Sequence, residues 1–303
     1  MLFLSRFELY ERKKTMKILK CNEEYLELMV TMPSSSKSQN ECLRNDIEQG
    51  HPLDQCIIAL KNEEVVFRIT LFPEIKYLGN LTIENIDENE LYELMQQVIK
   101  DLDRTIEWRV DLYSDKVHHS IIQKVLRRCF DQEFLRESYT IQTKSIKCIP
   151  HTFKSAKQMN TKEILKLLES ASETTLDNEI QKNIKEKGLS EALKETYQSL
   201  IDDVESESLF QVLCVNNQKV GFVAVNRLLG DIGAIGYIGV AHSSQGMHYG
   251  EILLKKAIDI AHKNKINTLI ADIDISNFAI RNHLLNTGFT KDCNQSMFFL
   301  KRK

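Results

Sequence analysis

The residue types best suited to chemistry lie in a short polar loop between an apolar strand and an amphipathic helix. The strand ends at Tyr237-Ile-Gly-Val240, and the loop Gln245-Gly-Met-His-Tyr-Gly250 leads into a helical pattern over Glu251–Lys263. The first N–H groups of a helix lack partners within it and lie at the positive end of its dipole, so they attract anions. Glycines let the backbone approach such an anion closely. The loop therefore predicts a phosphate site, although an ordinary strand-to-helix turn has a similar composition.

Three side chains near this loop are suited to proton transfer or cation binding. Asp272 and Asp274 share one face of a predicted strand, because side chains alternate along a strand with period two. Paired carboxylates accept a proton or bind a cationic group, but they also occur at solvated sheet edges. Tyr237 precedes the loop, where it either lines a cleft or closes the edge of the core. Asp231 is interpreted as a turn residue and Cys214 as a small buried hydrophobe.

Hydrophobic periodicity in the second half predicts the order β-α-α-β-β-β-α-β-α-β. The predicted strands are Thr152–Ala156, Leu209–Val215, Val220–Leu228, Ala234–Val240, Thr268–Ile273 and Met297–Lys301, and the predicted helices are Lys162–Ser172, Asp177–Val204, Glu251–Lys263 and Phe278–Asn286. Asn277 is expected to cap the last helix, and Gly288 to end it with positive φ. Phe289 is expected to return to the core.

The first half shows a similar pattern. The hairpin Ala59–Thr70 aligns without a gap on Cys214–Val225, and Ile106–Leu112 and Lys116–Arg128 correspond to Thr268–Ile273 and Phe278–Asn286. Agreement in order and spacing favours an internal duplication over chance similarity. We expect a leader over residues 1–15, or a true start at Met16, and domains over residues 16–145 and 150–303. The segment Lys144–His151 would connect them.

Two segments of the second half resemble the motifs of the GCN5-related N-acetyltransferase (GNAT) superfamily. Gln245 and Gly250 match motif A, written Gln/Arg-x-x-Gly-x-Gly/Ala, and Asn277 to Phe289 resembles motif B. The resemblance implies a twisted, mostly antiparallel mixed α/β sheet flanked by helices, in two tandem GNAT-like domains. It also implies that acetyl-CoA is the co-substrate. Its pyrophosphate would lie on the loop and its pantetheine arm along the preceding strand. The cofactor-binding residues implied are Ile238, Gly239, Val240, Gln245, Gly246, Met247, His248, Tyr249, Gly250 and Asn277.

The sequence departs from the family at three positions. His248 replaces the central glycine of motif A, where it either contacts a phosphate or is exposed to solvent. Leu284 stands where many members have a catalytic tyrosine, and the strand Ala234–Val240 has no glutamate. Tyr237 and Asp272 are therefore the catalytic candidates, and His283 is expected to have a surface or packing role. Gly239 either makes room for the pantetheine or marks a bulge.

We expect an acetyl-CoA-dependent N-acetyltransferase acting on a small-molecule or protein primary amine. The alternative is a non-catalytic acyl-CoA-binding or interaction module on a decayed GNAT fold. In the first half, Leu81–Glu90 is acidic and lacks glycine, so that copy is not expected to bind coenzyme A.

The composition is that of an ordinary globular protein. The net charge is −3 and no basic stripe occurs, so nucleic acid is not an expected partner. No apolar run is long enough to span a bilayer, and neither a metal site nor a disulfide framework is expected from seven cysteines without a CxxC pair. These features predict a cytoplasmic monomer or homodimer.

Overall fold

The computed structural model describes residues 16–146, 151–203, 206–228 and 230–302, which form two compact units. The first unit contains the described residues up to Glu133 and those from Gln295 onward, and the second contains Phe134–Asn294. The predicted leader, residues 1–15, and residues 147–150 of the predicted connection lie outside the described residues. None of the described helices is both long and apolar enough to cross a membrane. The described cysteines are free thiols.

The first unit begins with five strands and four helices. The strands are β1 (Lys17–Lys20), β2 (Cys56–Lys61), β3 (Glu64–Phe72), β4 (Tyr77–Ile83) and β5 (Trp108–Tyr113), and the helices are α1 (Leu26–Val30), α2 (Lys37–Glu48), α3 (Glu88–Asp101) and α4 (His119–Cys129). The buried face of α3 carries Leu91, Leu94, Met95 and Val98, at the spacing that places side chains on one side of a helix.

The remaining elements begin with β6, which was not predicted, and from β7 onward they follow the order predicted for the second half, except that the second helical region is two helices. The strands are β6 (Gln132–Gln142), β7 (Thr152–Ser155), β8 (Phe210–Val215), β9 (Gln218–Arg227), β10 (Ile232–Val240), β11 (Thr268–Asp274) and β12 (Thr290–Leu300). The helices are α5 (Thr161–Ser172), α6 (Asn178–Lys187), α7 (Leu189–Asp203), α8 (Tyr249–Lys263) and α9 (Phe278–Thr287). Gly188, with φ of 81°, separates α6 from α7.

The two sheets have the same strand order and the same pairing directions. The first unit pairs β1-β2-β3-β4-β5-β12, and the second pairs β7-β8-β9-β10-β11-β6. In each sheet only the fourth and fifth strands run parallel. This confirms the predicted mixed and mostly antiparallel α/β fold. The sixth strand of each sheet comes from the other half of the sequence, because β12 pairs with β5 and β6 pairs with β11.

The duplicated hairpins show how closely the copies correspond. Each has a two-residue turn with positive φ, at Asn62–Glu63 and at Asn216–Asn217, as hairpin twist favours. Asn62 therefore corresponds to Asn216, and the gapless alignment, which pairs Asn62 with Asn217, is wrong by one residue. Both hairpins also have a shift of register close to the turn, at Ala59/Leu60 and at Leu213/Cys214.

A buried charge network fixes the start of α9 in the second unit. The carboxylate of Glu137, on β6, accepts hydrogen bonds from Arg281 Nε (2.7 Å), Lys291 Nζ (2.8 Å) and the Tyr139 hydroxyl (3.0 Å). Burial opposes the charge of Glu137, but these three donors outweigh it and hold the pKa of its carboxyl below the ordinary value. Arg281 also donates to the Ile275 carbonyl (2.6 Å), so the network holds the turn before α9.

Replacing Glu137 with Gln should lower the free energy of unfolding at pH 7 by roughly 2 kcal/mol, because it removes the counter-charge of the half-buried Arg281 and of the more exposed Lys291. A carboxyl whose pKa is lowered by folding stabilises the protein above its unfolded pKa of about 4.3, and this contribution is lost as the pH falls through the folded pKa. The free energies of unfolding of the wild type and of Glu137→Gln, measured by urea unfolding, should therefore become more similar below about pH 4.3. The exposed Glu191 provides a control: Glu191→Gln should change stability by less than about 0.5 kcal/mol. An equal loss of stability at pH 3 and pH 7 would contradict the role given to the charge.

The exchanged strands predict which fragments fold. A fragment of residues 134–294 retains β6 and should unfold cooperatively, whereas one of residues 146–303 lacks the sixth strand of its sheet and exposes the edge of β11. Circular dichroism and size-exclusion chromatography should show a folded, monodisperse first fragment and an aggregated or unfolded second one. The experiment also tests the predicted domain boundary at 145–150: a well-folded 146–303 fragment would support that boundary over the strand exchange.

Candidate functional site

The central feature of the second unit is the divergence of its two parallel strands. β10 and β11 pair only where Ile232–Ala234 lie beside Thr268–Ile270. Beyond that point β10 follows β9, and β11 follows β6. Among the described residues, no strand pairs with the β11-facing edge of Tyr237–Val240. The N–H and C=O groups along that edge can therefore hydrogen-bond to an extended ligand.

Two glycines of β10 are needed where neighbouring side chains lie against its backbone. A shift of register between Ile235 and Tyr237 places a bulge at Gly236, where the divergence begins. A Cβ at Gly236 would lie 2.8 Å from the side-chain amide atoms of Asn226 on β9. A Cβ at Gly239 would lie 2.7 Å from the Phe222 ring. The bulge considered for Gly239 is thus at Gly236, and Gly239 is a site of close packing.

The divergence opens into a cavity of about 470 Å³. One wall consists of the separated parts of β10 and β11, and the opposite wall of α6 and α7. Leu284 of α9 lies in the lining and is fully buried, so the position of the family tyrosine is apolar. Four predicted site residues line the cavity: the catalytic candidates Tyr237 and Asp272, and the cofactor-binding candidates Ile238 and Asn277.

Charge in the cavity wall is mostly negative. Five carboxylates line the cavity: Asp177, Glu179, Glu195, Asp272 and Asp274. The single cationic group in the described lining is the guanidinium of Arg136 on β6. Arg136 donates to the Asp272 carbonyl (2.7 Å) and pairs with Asp177 (3.4 Å) and Glu179 (3.6 Å). It thereby ties β6 and β11 to the start of α6. An acidic cavity attracts cationic ligands.

The two aspartates of β11 differ in their hydrogen bonding. Asp274 is buried, with Oδ1 accepting from the Ser276 amide (2.9 Å) and hydroxyl (2.6 Å) and Oδ2 accepting from the Asn178 side chain. It fixes the turn before α9 and holds α6 to it. Asp272 Oδ1 is buried and has no hydrogen-bond partner among the described residues. Of the two, Asp272 has the acceptor that a ligand in the cavity can use.

Tyr237 lines the cavity with its ring packed edge-on against Phe222, at a centroid distance of 5.0 Å. Its hydroxyl lies 3.1 Å from Ser172 Oγ on α5. Burial raises the pKa of the Tyr237 phenol, with the hydroxyl of Ser172 acting against it. The phenol therefore stays protonated across the neutral range and is a neutral hydrogen-bond donor or acceptor.

The loop after β10 leaves the start of α8 accessible. Gln245 donates from Nε2 to Thr174 Oγ1 (2.8 Å) and to the Val240 carbonyl (3.3 Å), which anchors the loop to the strand. Gly246 has φ of 78°, a conformation that favours glycine. His248 precedes the helix in the left-handed region, with φ of 60°, and no side chain caps α8. The N–H groups of its first turn are therefore available to an anion.

The remaining loop residues have distinct surroundings. Met247 is 57% exposed, and Tyr249 packs edge-on against His151. A Cβ at Gly250 would lie 3.0 Å from His283 of α9, so this glycine allows close packing of the two helices. His283 thus has the packing position expected of it.

The start and end of α9 follow the predicted local rules. Asn277 accepts a hydrogen bond from the Ile280 amide (3.3 Å) and caps the helix. Gly288 ends it with φ of 98°, and Phe289 is buried. Asn277 also lies in the cavity wall, at the point where β11 leads into α9.

Sequence reasoning missed the α6–α7 wall and β6. Ala192, Glu195, Thr196 and Ser199 lie at i, i+3, i+4 and i+7 of α7 and all face the cavity. This face of small and polar residues, beside the buried Leu193 and Leu200, was the available signal. For β6, the alternation of Tyr139 and Ile141 with the polar Ser138, Thr140 and Gln142 is typical of a strand.

The first unit has a similar divergence but a blocked helix start. β4 and β5 pair only where Tyr77–Leu78 lie beside Arg109–Val110. The Asp87 carboxylate caps α3 by accepting from the Asn89 (2.8 Å) and Glu90 (2.9 Å) amides, and Glu90 accepts from the Asp87 amide (3.0 Å). A carboxylate therefore occupies the N–H groups that a phosphate would need.

Comparisons with known proteins agree with this geometry. The model of the Acetyltransferase (GNAT) family matches residues 173–289. A GCN5-related N-acetyltransferase from Sphaerobacter thermophilus has a similar structure, with a TM-score of 0.61 at 11% identity, over 95% of this chain and 96% of its own. An acetyltransferase of the GNAT family from Colwellia psychrerythraea gives 0.53 at 13% identity, over 95% and 100%. No curated protein matches the sequence. The family model thus lies within the second unit, and the fold of the whole chain is that of tandem GNAT-like domains.

Proposed function

We propose, from the membership of residues 173–289 in the Acetyltransferase (GNAT) family, that the second unit transfers an acetyl group from acetyl-CoA to a primary amine. Acyl transfer is the chemistry of this family, and the acyl donor and acceptor are our proposal. The observation that carries it is the divergence of β10 and β11 beside the uncapped start of α8, with carboxylates across the opening. An acyl-CoA needs the first two features, and an amine acceptor is favoured by the third.

The residues around the opening fit acetyl-CoA in three places. The loop Gln245–Gly250 and the first turn of α8 would hold the pyrophosphate, since their N–H groups have no capping side chain. Ile238, Gly239 and Val240 would contact the pantetheine and the acyl group along the unpaired edge of β10. Asn277, at the mouth of the cavity, would lie close to the same arm.

Acetyl-CoA supplies a thioester carbonyl that is already reactive toward a neutral amine. An amine in solution is mostly protonated, so we assign its deprotonation to Asp272, whose Oδ1 is buried without a partner. Backbone N–H groups of the unpaired β10 edge would polarise the carbonyl as the C–N bond forms. Tyr237, held protonated by burial, would donate its proton to the sulfur as the C–S bond breaks and would take up the proton that the nitrogen of the new amide loses.

The alternative function, a non-catalytic acyl-CoA-binding module, is favoured by one observation. Leu284 is fully buried where many relatives have a tyrosine, so α9 presents no proton donor at that position. Calorimetric titration of acetyl-CoA into the protein, followed by measurement of free thiol release with a library of amines, separates the two functions. Binding with amine-dependent thiol release supports the transferase, and binding without it supports the module. The absence of binding at millimolar acetyl-CoA would overturn both.

The phosphate loop is best tested at Met247, because a larger residue at Gly250 would also disturb its packing on His283. Met247→Glu should weaken acetyl-CoA binding about tenfold at low salt, since a carboxylate in the loop repels the pyrophosphate. Met247→Gln, of the same size but uncharged, should bind almost as the wild type does. Salt screens exposed charges, so the difference should narrow at high ionic strength. Equal dissociation constants for the two variants at low salt would place the phosphates elsewhere.

The proton-transfer roles predict a loss of kcat without a loss of donor binding. Asp272→Asn and Tyr237→Phe should each lower kcat on the order of 100-fold, the usual contribution of a positioned acid or base. The dissociation constant of acetyl-CoA should change by less than about threefold, since neither side chain is assigned to the phosphates. Asp292→Asn, at an exposed position, is the matched control and should keep wild-type kcat. A variant that retains full kcat would lose its assigned role.

A further inference from the structure

The cavity of the second unit has more negative charge than one ammonium group can balance. Its five carboxylates are opposed by Arg136, which pairs with Asp177 and Glu179, and by Lys187, which pairs with Glu195 from outside the lining. The carboxylates of the described lining outnumber these two cations. Uncompensated carboxylates in a partly enclosed space repel one another, so a ligand with several positive charges is favoured over one with a single charge.

Two acceptor atoms of the wall also lack donors. Oδ1 of Asp272 and Oδ1 of Asn226 are both buried without a hydrogen-bond partner among the described residues. Both side chains lie on the same face of the sheet. Asn226, Ala234 and Ile270 are lateral neighbours on three adjacent strands, so their side chains share a face. Asp272 is two residues after Ile270 on β11, and side chains alternate with period two, so it lies on that face too. A buried acceptor without a donor is costly, and N–H groups of a ligand would satisfy both atoms.

Apolar side chains fill the space between these polar groups. They come from the strands, from α6 and α7, and from the helices beneath the opening; they include Ile180, Leu200, Ile235, Ile238, Ile273 and Ile280. Such side chains fit the methylene groups of a ligand. The wall is therefore complementary to an aliphatic chain with cationic nitrogen atoms along it.

We infer that the acceptor is an aliphatic diamine or polyamine, with the reacting amine at Asp272 and a second cationic nitrogen at Glu195 of α7. This inference rests on the proposed transferase function. Glu195 is suited to the second role because its side chain is 51% exposed and its partner Lys187 is 40% exposed, so the ion pair can open at little cost. Its position on the face of α7 that also carries Thr196 and Ser199 directs it to the cavity. Glu195 thus determines specificity and takes no part in the chemical step.

The test compares three amines of equal chain length in the thiol-release assay. 1,4-Diaminobutane has a cation at both ends, butylamine at one end, and 4-aminobutyrate has a carboxylate in place of the second cation. We expect kcat/KM to fall in that order, with the diamine about fivefold better than butylamine, which corresponds to one exposed ion pair of about 1 kcal/mol. Most of the difference should be in KM, because the second cation does not take part in the reaction.

Glu195→Gln removes the charge and keeps the shape. The ratio of kcat/KM for diamine over butylamine should fall toward one in this variant, while Glu186→Gln, an exposed position of α6 outside the cavity lining, should keep the wild-type ratio. Two results would overturn the inference: equal use of butylamine and diamine by the wild type, or a ratio unchanged by Glu195→Gln. If acetyl-CoA binds but no amine releases thiol, the transferase function fails first, and the acceptor inference fails with it.

Discussion

The site depends on how two parallel strands are kept apart. β10 and β11 share three residue pairs and then part, because each is held by its outer neighbour. On one side the bulge at Gly236, covered by the Asn226 side chain, turns β10 toward β9. On the other, Arg136 of β6 binds the Asp272 carbonyl and keeps β11 with β6. The cavity, the unpaired edge of β10 and the access to Asp272 all result from this separation.

Local rules were enough to predict most elements of the fold. Helix α5 and strand β11 lie within about a residue of their predicted bounds, because periodicity reports which face is buried. The cap at Asn277 and the positive φ of Gly288 follow from hydrogen bonds within a few residues. The departure of the hairpin alignment by one residue has a similar explanation, since side-chain type does not reveal a bulge.

Long-range features were beyond the sequence. The pairing of β6 with β11, and of β12 with β5, joins segments more than a hundred residues apart, and no local pattern specifies such a partner. For the same reason the α6–α7 wall was recognised only as a charged helical region. The carboxylates Glu179 and Glu195 belong to the site because of where two helices pack, and not because of any motif that they form.

The two units show how one helix start can be closed and the other left open. Asp87 and Glu90 form a capping box on α3, so each carboxylate accepts from the backbone of the other's residue. At α8 the corresponding cap position is His248, in a left-handed conformation from which its side chain makes no capping bond. Glu251 occupies the third helical position, as Glu90 does, but its carboxylate binds Lys255 at 2.7 Å. Both changes leave the first-turn N–H groups of α8 without a side-chain acceptor, which is the condition for binding a phosphate there.

The two aspartates of β11 have different roles in the cavity wall. Both oxygens of Asp274 are bound, and by linking Ser276 to Asn178 they fix the turn before α9 and the start of α6. Asp272, two residues earlier on the same strand face, keeps one oxygen without a partner because Arg136 binds its carbonyl and not its carboxylate. The guanidinium thus orders the strand without neutralising the group that we assign to proton transfer. In the proposed transferase, Asp272 would take the role that the strand glutamate has in many GNAT members, because its strand is fixed by Arg136 on one side and by the Asp274 turn at its end.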